Sequence, residues 1–382
     1  MTDRQPRVLH VVKRLLERTQ TFVQRRLDSQ RFESSALTWE LVPDGLETSC
    51  PVHLASPTES SAIVHRWPRV ATALRQVEIV RVLSKLRPDV VHAHFGPAGG
   101  RVAVPCALLG IPLITSFYGF DAGSRAESDR GRREMHRMRM AHALVTAEGP
   151  ALAARLCELG TPRDSVRLLP LCLPDWALHE PARKADPWDT ELHLLQVARF
   201  IEKKGIDTSL RAIAAARRRG VPVRLTLVGD GELRPQLEAL AAQLELGNSV
   251  RWAGFQPYSE LPNLLASSHA FIQPSRTASD GDTEGGHPTT LIEAMAQRVP
   301  VIATRHADIP LVVRDNETGL LAAEGDSEGI AAAIETLHRS RERLPEMSAR
   351  AREFALRRHH PDVLLGLRER IYREAIRSRR KS

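Results

Sequence analysis

One segment carries the strongest structural signal in this sequence: Glu284-Gly285-Gly286-His287-Pro288-Thr289-Thr290-Leu291-Ile292-Glu293-Ala294-Met295-Ala296. A glycine pair and a proline precede an apolar, alanine-rich run that predicts a helix with Glu293 in its first turns. Glycine lets backbone amides approach a ligand closely, and the N-terminus of a helix favours anions such as phosphate. A glutamate at this depth could accept hydrogen bonds from the paired hydroxyls of a ribose. The segment therefore has the parts needed to bind a nucleotide diphosphate, although an ordinary junction between a loop and a helix has the same pattern.

Predicted strands and helices alternate on both sides of this segment. The predicted strands span 192–198, 223–228, 250–252, 270–273 and 299–303. The predicted helices between them span 207–219, 232–244 and 259–267, and the helix of the opening segment ends at Gln297. Such alternation is typical of a parallel sheet of the α/β class.

The first half of the chain has the same alternation. Its predicted strands span 8–12, 89–94, 113–117, 143–146 and 166–169, and its predicted helices span 69–86, 101–109, 130–142 and 150–159. Between the halves, residues 170–189 are rich in proline, charge and tryptophan, which is typical of a linker. The sequence therefore predicts two doubly wound, Rossmann-like domains that face a cleft.

Changes in composition set the predicted domain bounds. Residues 1–174 form the first domain, 175–189 the linker and 190–355 the second domain. The last segment, 356–382, has nine lysines and arginines against three acidic residues, with a rough stripe of leucine and isoleucine. The segment is expected to form a basic helix, which either crosses back to the first domain or is a solvated end of the chain.

Bulk composition limits the classes of protein to which the chain can belong. A length of 382 residues exceeds one typical core, and 42% hydrophobic with 26% charged residues is usual for a globular protein. The net charge of +8 favours an anionic partner, which could be nucleic acid, a membrane surface or a phosphorylated substrate. Aromatic residues make up only 4% and lie mostly outside the basic runs, so nucleic acid is not expected.

Other features bear on the compartment of the protein. The N-terminus lacks the apolar run of a signal peptide, and the apolar stretch 102–120 is broken by Pro105, Gly110 and Pro112. The cysteines have no CxxC spacing and are predicted to be free thiols: Cys50, Cys106, Cys157 and Cys172. We therefore expect a cytoplasmic protein, with a peripheral position at the inner face of the plasma membrane as a further hypothesis.

A basic turn follows the first predicted strand of the second half. Its sequence is VARFIEKKG, residues 197–205, and it contains Arg199 and Lys204. In open α/β sheets, ligands bind beyond the carboxyl ends of the strands. Two cations there could neutralise a diphosphate and stabilise the charge that develops when a sugar–phosphate bond breaks. A solvated basic turn is the alternative.

Several segments, taken together, resemble the motifs of family-four glycosyltransferases, which have the GT-B fold. In the second half these are VARFIEKKG, VRWAGF (250–255), AFIQPS (270–275) and the opening segment. In the first half, PDVVHAHFG (88–96) and TSFYGFDA (115–122) resemble segments of that family's acceptor domain. The stretch Thr19-Gln20-Thr21-Phe22-Val23 resembles a TETF-like stretch in exopolysaccharide members of the colanic acid type. The resemblance extends from residue 8 to about residue 355.

This resemblance implies an activity and a set of site residues. The implied reaction moves a sugar from a nucleotide diphosphate sugar, with retention and without a metal or other cofactor, to a saccharide or lipid-linked saccharide. Arg199 and Lys204 would bind the diphosphate, Glu293 would accept the ribose hydroxyls, and Gly254 and Phe255 would lie near the base. The donor sugar would contact the start of the opening segment: Glu284, Gly285, Gly286, His287, Pro288, Thr289 and Thr290.

Two features depart from the family pattern. Glu284 and Glu293 are nine positions apart, whereas the family usually has eight, and a bulge in the loop could absorb the extra residue. Tyr118 replaces the family's histidine before Gly-x-Asp, as in exopolysaccharide-type members. Its phenol can donate a hydrogen bond to the donor phosphate or sugar but cannot become a cation. With Arg199, Lys204 and Glu284 it completes the set of candidate catalytic residues, unless it is only a core tyrosine at a strand end.

Other patterns suggest chemistry less strongly. His92 and His94 would point to one face of a strand and could bind a metal, but no cysteine or carboxylate cluster completes the ligand set, so no metal site is expected. His94 would then lie near the acceptor or a phosphate, and Asp121 could orient hydroxyls. Asp280-Gly281-Asp282 is interpreted as a solvated loop.

The acceptor and the rival functions remain hypotheses at this point. A basic helix, with Arg130, Arg132, Arg133, Arg137 and Arg139, and the basic C-terminus suggest contact with an anionic membrane. A nucleotide-sugar epimerase or a phosphorylase of the same fold is one alternative function. A carbohydrate-binding paralogue without catalytic activity is another.

Overall fold

The computed structural model describes residues 4–15, 17, 20–28, 31–43, 45–55, 68–180 and 191–379. The chain divides into two compact units. The first unit consists of Met1–Pro170 together with Leu364–Ser382, and the second consists of Leu171–Val363. Each unit contains one sheet in which every neighbouring pair of strands is parallel, so the predicted α/β class is confirmed.

The first unit has a seven-stranded sheet in the order β3-β2-β1-β4-β5-β6-β7. The strands are β1 Arg7–Leu15, β2 Glu33–Leu41, β3 Val52–Leu54, β4 Val90–His94, β5 Leu113–Ser116, β6 Leu144–Ala147 and β7 Val166–Leu168. The helices of this half are Thr21–Leu27, Pro68–Leu86, Gly96–Leu108, Ser124–Glu127, Asp129–Met140 and Pro150–Glu158, and the last helix of the chain is Pro361–Arg379.

The second unit has a six-stranded sheet in the order β10-β9-β8-β11-β12-β13. The strands are β8 Leu192–Val197, β9 Val223–Val228, β10 Val250–Gly254, β11 Ala270–Gln273, β12 Val301–Thr304 and β13 Leu320–Ala322. The helices are Asp175–Leu178, Ile206–Arg218, Arg234–Gln243, Leu261–Ala266, Thr289–Ala296, Ile309–Val312, Ser327–Arg339 and Leu344–His359.

Apolar side chains cover both faces of each sheet, as parallel strands require. In β11, Ile272 packs in a cluster that includes Ile213 and Ile334, while its neighbour Phe271 packs in a second cluster that includes Leu291. Helices therefore lie on both sides of the second sheet. In the first unit the last helix of the chain covers part of one sheet face, because its Tyr372 packs with strand residues in one buried cluster.

One helix begins earlier than the sequence predicts. The helix predicted at 101–109 begins at Gly96, because its glycines allow close packing. A Cβ atom on Gly99 would lie 2.3 Å from the Thr115 hydroxyl, and one on Gly100 would lie 2.6 Å from the Glu134 side chain. The linker predicted at 175–189 stays a prediction, because residues 181–190 lie outside the described part of the chain. Among the described residues, no helix is both apolar enough and long enough to span a bilayer.

Candidate active site

The strand order of the second sheet reverses between β8 and β11. In doubly wound sheets, ligands bind beyond the carboxyl ends of the strands at such a point. Two loops leave the sheet there. One follows β8 and contains Arg199 and Lys204, and the other follows β11 and leads through Glu284 to the helix Thr289–Ala296. Topology therefore brings together two sequence motifs that are about eighty residues apart.

Lys204 and Glu284 form an ion pair at this point. The Lys204 Nζ lies 2.7 Å and 2.8 Å from the two carboxylate oxygens of Glu284, and the Ser275 hydroxyl donates to Glu284 Oε1 over 2.6 Å. The side chains are only 15% and 6% exposed. Burial alone would raise the pKa of the Glu284 carboxyl, but nearby Lys204 and Lys203 hold that pKa below its ordinary value. A buried carboxylate and a buried ammonium are thus fixed in the expected diphosphate region.

The backbone of the Lys204 turn is fixed by β8 and β11. The Gln196 side chain donates to the Lys204 carbonyl over 2.9 Å and accepts from the Ser209 hydroxyl over 2.7 Å. Gly205 follows with φ of +61°, and a Cβ atom there would lie 1.9 Å from the Pro274 carbonyl oxygen. Only glycine fits this left-handed position beside the end of β11.

We predict that Gly205→Ala lowers the free energy of unfolding of the second unit by roughly 2–4 kcal/mol, since it adds both backbone strain and a clash. Gly220→Ala is the matched control, because Gly220 also has positive φ, +82°, but has no atom within 4 Å of its Cβ position. We expect about 1 kcal/mol for that control. Urea unfolding of both variants gives the comparison, and equal losses would contradict the close approach to Pro274.

A second lysine of the turn supports the glutamate loop. Lys203 is only 4% exposed, and its Nζ donates to Asp282 Oδ1 over 3.0 Å and to the Thr283 carbonyl over 2.7 Å. The interpretation of Asp280-Gly281-Asp282 as a solvated loop is therefore wrong for Asp282, whose carboxylate neutralises a buried cation. Further support comes from His306, whose ring nitrogen accepts from the Glu284 amide over 3.2 Å.

Glu293 lies in the following helix and is fully buried. The Tyr258 hydroxyl donates to its Oε1 over 2.5 Å. Thr289 and Thr290 form the first turn of this helix and are half-buried. Binding of ribose hydroxyls by Glu293 stays a prediction, and the bond from Tyr258 is to Oε1.

The segment between Glu284 and the helix is buried throughout. Gly285 has φ of +77°, and its amide donates to the Thr283 hydroxyl over 3.1 Å.

His287 is a neutral side chain within this segment. Burial, with a smaller contribution from His359, lowers the pKa of His287 to about 3, so that the imidazole is neutral at pH 7. The His287 Nδ1 is buried and has no hydrogen-bond partner among the described residues. Pro288 immediately precedes the helix, and the predicted contacts of Gly286 with a donor sugar stay predictions.

The remaining predicted donor residues lie at the ends of β8 and β10. Arg199 is exposed and close enough to Lys204 to lower that lysine's pKa, although burial of Lys204 is the larger cause. Gly254 ends β10 with φ of +64°, and Phe255 follows it with 47% of its surface exposed. An exposed phenyl ring at a strand end could stack on a base, but the predicted role of both residues near the base stays a prediction.

Tyr118 lies in the first unit, directly after β5, within a buried polar cluster. The guanidinium of Arg26 donates over 2.8 Å to the Tyr118 oxygen and over 2.8 Å to the Ser116 oxygen. The His94 Nδ1 lies 2.7 Å from the Tyr118 oxygen. Burial raises the pKa of the Tyr118 phenol well above its usual range, and Arg26 opposes that shift. The phenol is therefore neutral, and Arg26 is a partner that sequence reasoning missed.

Asp121 ties two loops of the first unit together. Its carboxylate accepts from the Gly96 amide over 2.8 Å and from the Tyr118 amide over 2.9 Å. Burial raises the pKa of this carboxyl to about 6. Asp121 is thus positioned to fix the Tyr118 loop against the start of the helix that follows β4, and its predicted role in orienting hydroxyls stays a prediction.

His92 and His94 meet a third histidine that the sequence analysis did not include. His10 lies in β1, where it is the register partner of His92, and its Nδ1 lies 3.0 Å from His94 Nε2. One ring nitrogen from each of the three lies within 4.8 Å of the others. Burial, together with nearby charges that include Arg26 and Arg368, lowers the pKa of all three well below the usual value. The hydroxyls of Tyr372 and Ser116 each lie 2.7 Å from a ring nitrogen of His92, whereas His94 bonds to His10 and to Tyr118.

Each half of the chain matches a glycosyltransferase family model. A model described as Glycosyltransferase Family 4 matches residues 43–173, and one described as Glycosyl transferases group 1 matches residues 180–354. A protein of Escherichia coli K12, named as a colanic acid biosynthesis glycosyltransferase, WcaL, is 32% identical over 257 residues, which cover 66% of this chain and 62% of that protein. The amylovoran biosynthesis glycosyltransferase AmsK of Erwinia amylovora is 28% identical over 326 residues, which cover 82% of this chain and 79% of AmsK.

The fold of the chain is similar to that of a solved structure. The crystal structure of Anabaena Alr3699/HepE in complex with UDP and glucose superposes with a TM-score of 0.76 and 17% sequence identity. The match covers 97% of this chain and 99% of that one. Since the two family models together match residues 43–173 and 180–354, the chain belongs to the family-four glycosyltransferases of the GT-B fold.

Proposed function

We propose that this chain is a retaining, metal-independent hexosyltransferase. It moves a sugar from a nucleotide diphosphate sugar to a saccharide or lipid-linked saccharide acceptor in the biosynthesis of an exopolysaccharide. The second unit binds the donor and the first unit binds the acceptor. The match covers 62% of the length of WcaL, so this activity is proposed for the chain on its own residues as well as on its relatives.

One observation carries the proposal, namely the buried pair of Lys204 and Glu284 at the reversal point of the second sheet. A buried ammonium stabilises negative charge more strongly than an exposed one, because less water competes for it. The carboxylate beside it is an acceptor for sugar hydroxyls. The bond between a sugar and a diphosphate has an anionic phosphate at one end and sugar hydroxyls at the other. The Lys204 ammonium suits the phosphate, and the Glu284 carboxylate, 2.7 Å away, suits the hydroxyls.

We propose the following reaction, whose same-face course is what the family resemblance implies. The bond between the anomeric carbon and the diphosphate oxygen breaks, and its electron pair goes to that oxygen. Arg199 and Lys204 stabilise the charge that develops there. The oxygen of the acceptor hydroxyl bonds to the anomeric carbon on the same face of the sugar, and its proton goes to the departing phosphate.

The names of similar proteins support the substrate classes. WcaL and AmsK are named for colanic acid and amylovoran biosynthesis, which supports an exopolysaccharide product. The Anabaena structure contains UDP and glucose, which supports a nucleotide sugar as donor. Metal independence is proposed because Arg199 and Lys204 supply the positive charge that a metal ion supplies in other sites.

A thermal-shift panel of nucleoside diphosphates and their sugars tests the donor part of the proposal, because a ligand that binds the folded state raises Tm. The nucleotide sugar with the largest shift is then incubated with and without saccharide acceptors, in the presence of EDTA. Transfer that needs an acceptor and survives EDTA is the expected result. Epimerised donor without an acceptor would instead favour an epimerase, and binding without any turnover would favour a non-catalytic paralogue.

The first unit also has an exposed apolar groove beside basic residues. The groove lies between the helices Gly96–Leu108 and Asp129–Met140, and its rim includes Leu108 and Met140, which are 74% and 67% exposed. Arg137 lines it, and Arg379 donates to the Ala107 carbonyl at its edge over 3.0 Å. Apolar side chains flanked by cations are typical of surfaces that bind anionic bilayers.

We predict that Leu108→Asp combined with Met140→Asp weakens binding to anionic phosphatidylglycerol vesicles at least tenfold, because charge is placed where apolar side chains would enter the lipid. Sedimentation with phosphatidylglycerol and with neutral phosphatidylcholine vesicles is the measurement. The matched control is Leu54→Asp, at an exposed leucine in β3, outside this groove. Equal binding of the unchanged protein to anionic and neutral vesicles would contradict the hypothesis that the chain contacts an anionic membrane.

A further inference from the structure

Three aromatic rings of the first unit, those of Phe22, Phe95 and Tyr118, pack against one another. The ring centroid of Phe22 lies 4.7 Å from that of Tyr118, and the ring centroid of Phe95 lies 4.8 Å from it. All three side chains are half-buried, so each leaves part of its surface to solvent. Phe95 follows β4 and Tyr118 follows β5, so the rings lie at the carboxyl ends of strands, where this class of sheet binds ligands.

The backbone of Phe95 is strained. Its φ is 72° and its ψ is 144°, a combination that residues other than glycine rarely adopt. The strain is held by hydrogen bonds, because the Phe95 amide donates to the Ser116 carbonyl over 2.8 Å and its own carbonyl accepts from the Ala98 amide over 3.1 Å. Glycine would fit this position without strain, yet the chain places a phenyl ring there. Such strain concentrates at ligand sites.

The Tyr118 oxygen is held in place beside these rings. Arg26 can only donate, so the oxygen accepts from it over 2.8 Å. The bond to His94 can run in either direction, because the ring chain from His94 to His10 can adopt either tautomer. If Tyr118 donates to His94, its oxygen can accept one more hydrogen bond, and if His94 donates, the hydroxyl can donate one. In both cases Arg26 and His94 fix the position of the phenol oxygen.

We propose that Phe22, Phe95 and Tyr118 form a binding subsite for a pyranose ring of the saccharide acceptor. The C–H groups on one face of a pyranose carry partial positive charge, which the electron-rich faces of aromatic rings attract, while its hydroxyls need a fixed polar partner. The cluster supplies the rings and the partner together. This assignment rests on the proposed function and deepens it, because it names the groups that recognise the acceptor. It places the Tyr118 hydroxyl on the acceptor, in place of the contact with the donor phosphate or sugar that the family resemblance implies.

Binding of simple sugars tests the subsite without any turnover. Saturation-transfer-difference NMR is run with the methyl α- and β-pyranosides of glucose, galactose and mannose, on the full chain and on Phe95→Gly. At least one glycoside is expected to receive saturation at its ring protons from the unchanged protein, and Phe95→Gly is expected to weaken that binding at least tenfold. Glycine suits the Phe95 backbone, so Tm is expected to stay within about 3 °C, which separates lost binding from lost folding.

Matched variants sharpen the test. Tyr118→Phe keeps the ring, removes the hydroxyl and is expected to weaken glycoside binding about tenfold, as for one lost hydrogen bond. Phe120→Leu is the control, since this nearby ring is 57% exposed but is not part of the cluster, and no change is expected. The proposal is overturned if no glycoside binds the unchanged protein, or if Phe120→Leu removes binding while Phe95→Gly does not.

Steady-state kinetics then distinguish the acceptor sugar from the donor sugar. Phe22→Leu and Phe95→Gly are expected to raise KM for the acceptor at least tenfold while KM for the nucleotide sugar stays unchanged. A rise in donor KM alone would overturn the assignment to the acceptor. Glycoside binding that depends on Phe95, in a chain that transfers no sugar, would contradict the proposed function but keep the pyranose subsite.

Discussion

Replacing Lys204 with alanine is expected to lower kcat/KM for sugar transfer by roughly 10²–10³-fold, the usual effect of removing one group that stabilises developing charge. The departing diphosphate gains negative charge as its bond to the sugar breaks. The Lys204 ammonium lies at the carboxyl end of β8, held there by the Glu284 carboxylate at 2.7 Å and by the Gln196 side chain on its carbonyl. Steady-state kinetics with the nucleotide sugar chosen by the thermal-shift panel is the measurement.

The controls must separate lost catalysis from lost folding, because Lys204→Ala leaves the buried Glu284 carboxylate without its partner. Breaking a buried ion pair in this way costs about 3–5 kcal/mol of folding free energy. The double variant Lys204→Met with Glu284→Gln removes both charges and is expected to recover most of that stability but no activity. Arg218→Ala, at a side chain 67% exposed in the same unit, is expected to change neither property. Activity of Lys204→Ala within threefold of the unchanged protein would contradict the assigned role.

Glu284→Gln is expected to lower kcat by about 10²-fold while leaving the affinity for a nucleoside diphosphate equal or higher. The reason lies in the ion pair itself. Both carboxylate oxygens of Glu284 accept from Lys204, at 2.7 Å and 2.8 Å. Removing the negative charge leaves Lys204 free for phosphate but removes the acceptor that we assign to sugar hydroxyls. Calorimetric titration with nucleoside diphosphates and kinetics with the full donor separate the two effects.

Stability against pH provides an independent check on the same residue. Its neighbours hold the pKa of Glu284 below the ordinary 4.5, so the ionised form stabilises the folded state. That stabilisation is present above about pH 4.5 and is lost as the pH falls through the lower folded-state pKa. Glu284→Gln should therefore lose this part of the acid dependence of stability, whereas Glu317→Gln, at a side chain 56% exposed, should keep it.

The separate roles of Lys204 and Glu284 have their own contradicting outcome. If Glu284→Gln lowers nucleoside diphosphate affinity and turnover to the same extent, the two residues do not have separate roles.

The sequence predicted the central strands well because they are apolar on both faces. The strands predicted at 223–228 and 270–273 coincide with β9 and β11, and β4 is buried throughout, as its VVHAH sequence indicates. The helix that follows β4 was predicted to start five residues late. Its Gly-Pro-Ala-Gly-Gly start is typical of a loop when only local preferences are considered, and glycine is favourable there only because another helix packs closely against it.

The candidate site was predicted in part, and the site residues that the sequence did not predict were missed for one reason. Lys204 and Glu284 belong to recognisable motifs, so both were found from the sequence. Their supports were not, because each partner lies far away in the chain. Lys203 contacts Asp282 across 79 positions, and Arg26 contacts Tyr118 across 92. No local pattern distinguishes a lysine or an arginine that will be buried from one that will be solvated. For His10 there was a weak signal, a histidine inside the apolar strand predicted at 8–12, which pairs with the strand of His92 in the structure.

A crystal structure of the chain with the nucleoside diphosphate that gives the largest thermal shift tests the central claim most directly. Our account predicts that the β-phosphate binds beside the carboxyl ends of β8 and β11, with an oxygen within hydrogen-bond distance, about 2.7–3.2 Å, of the Lys204 Nζ. Arg199 is expected to contact the same diphosphate. A diphosphate bound at any place where neither side chain reaches it would contradict the account.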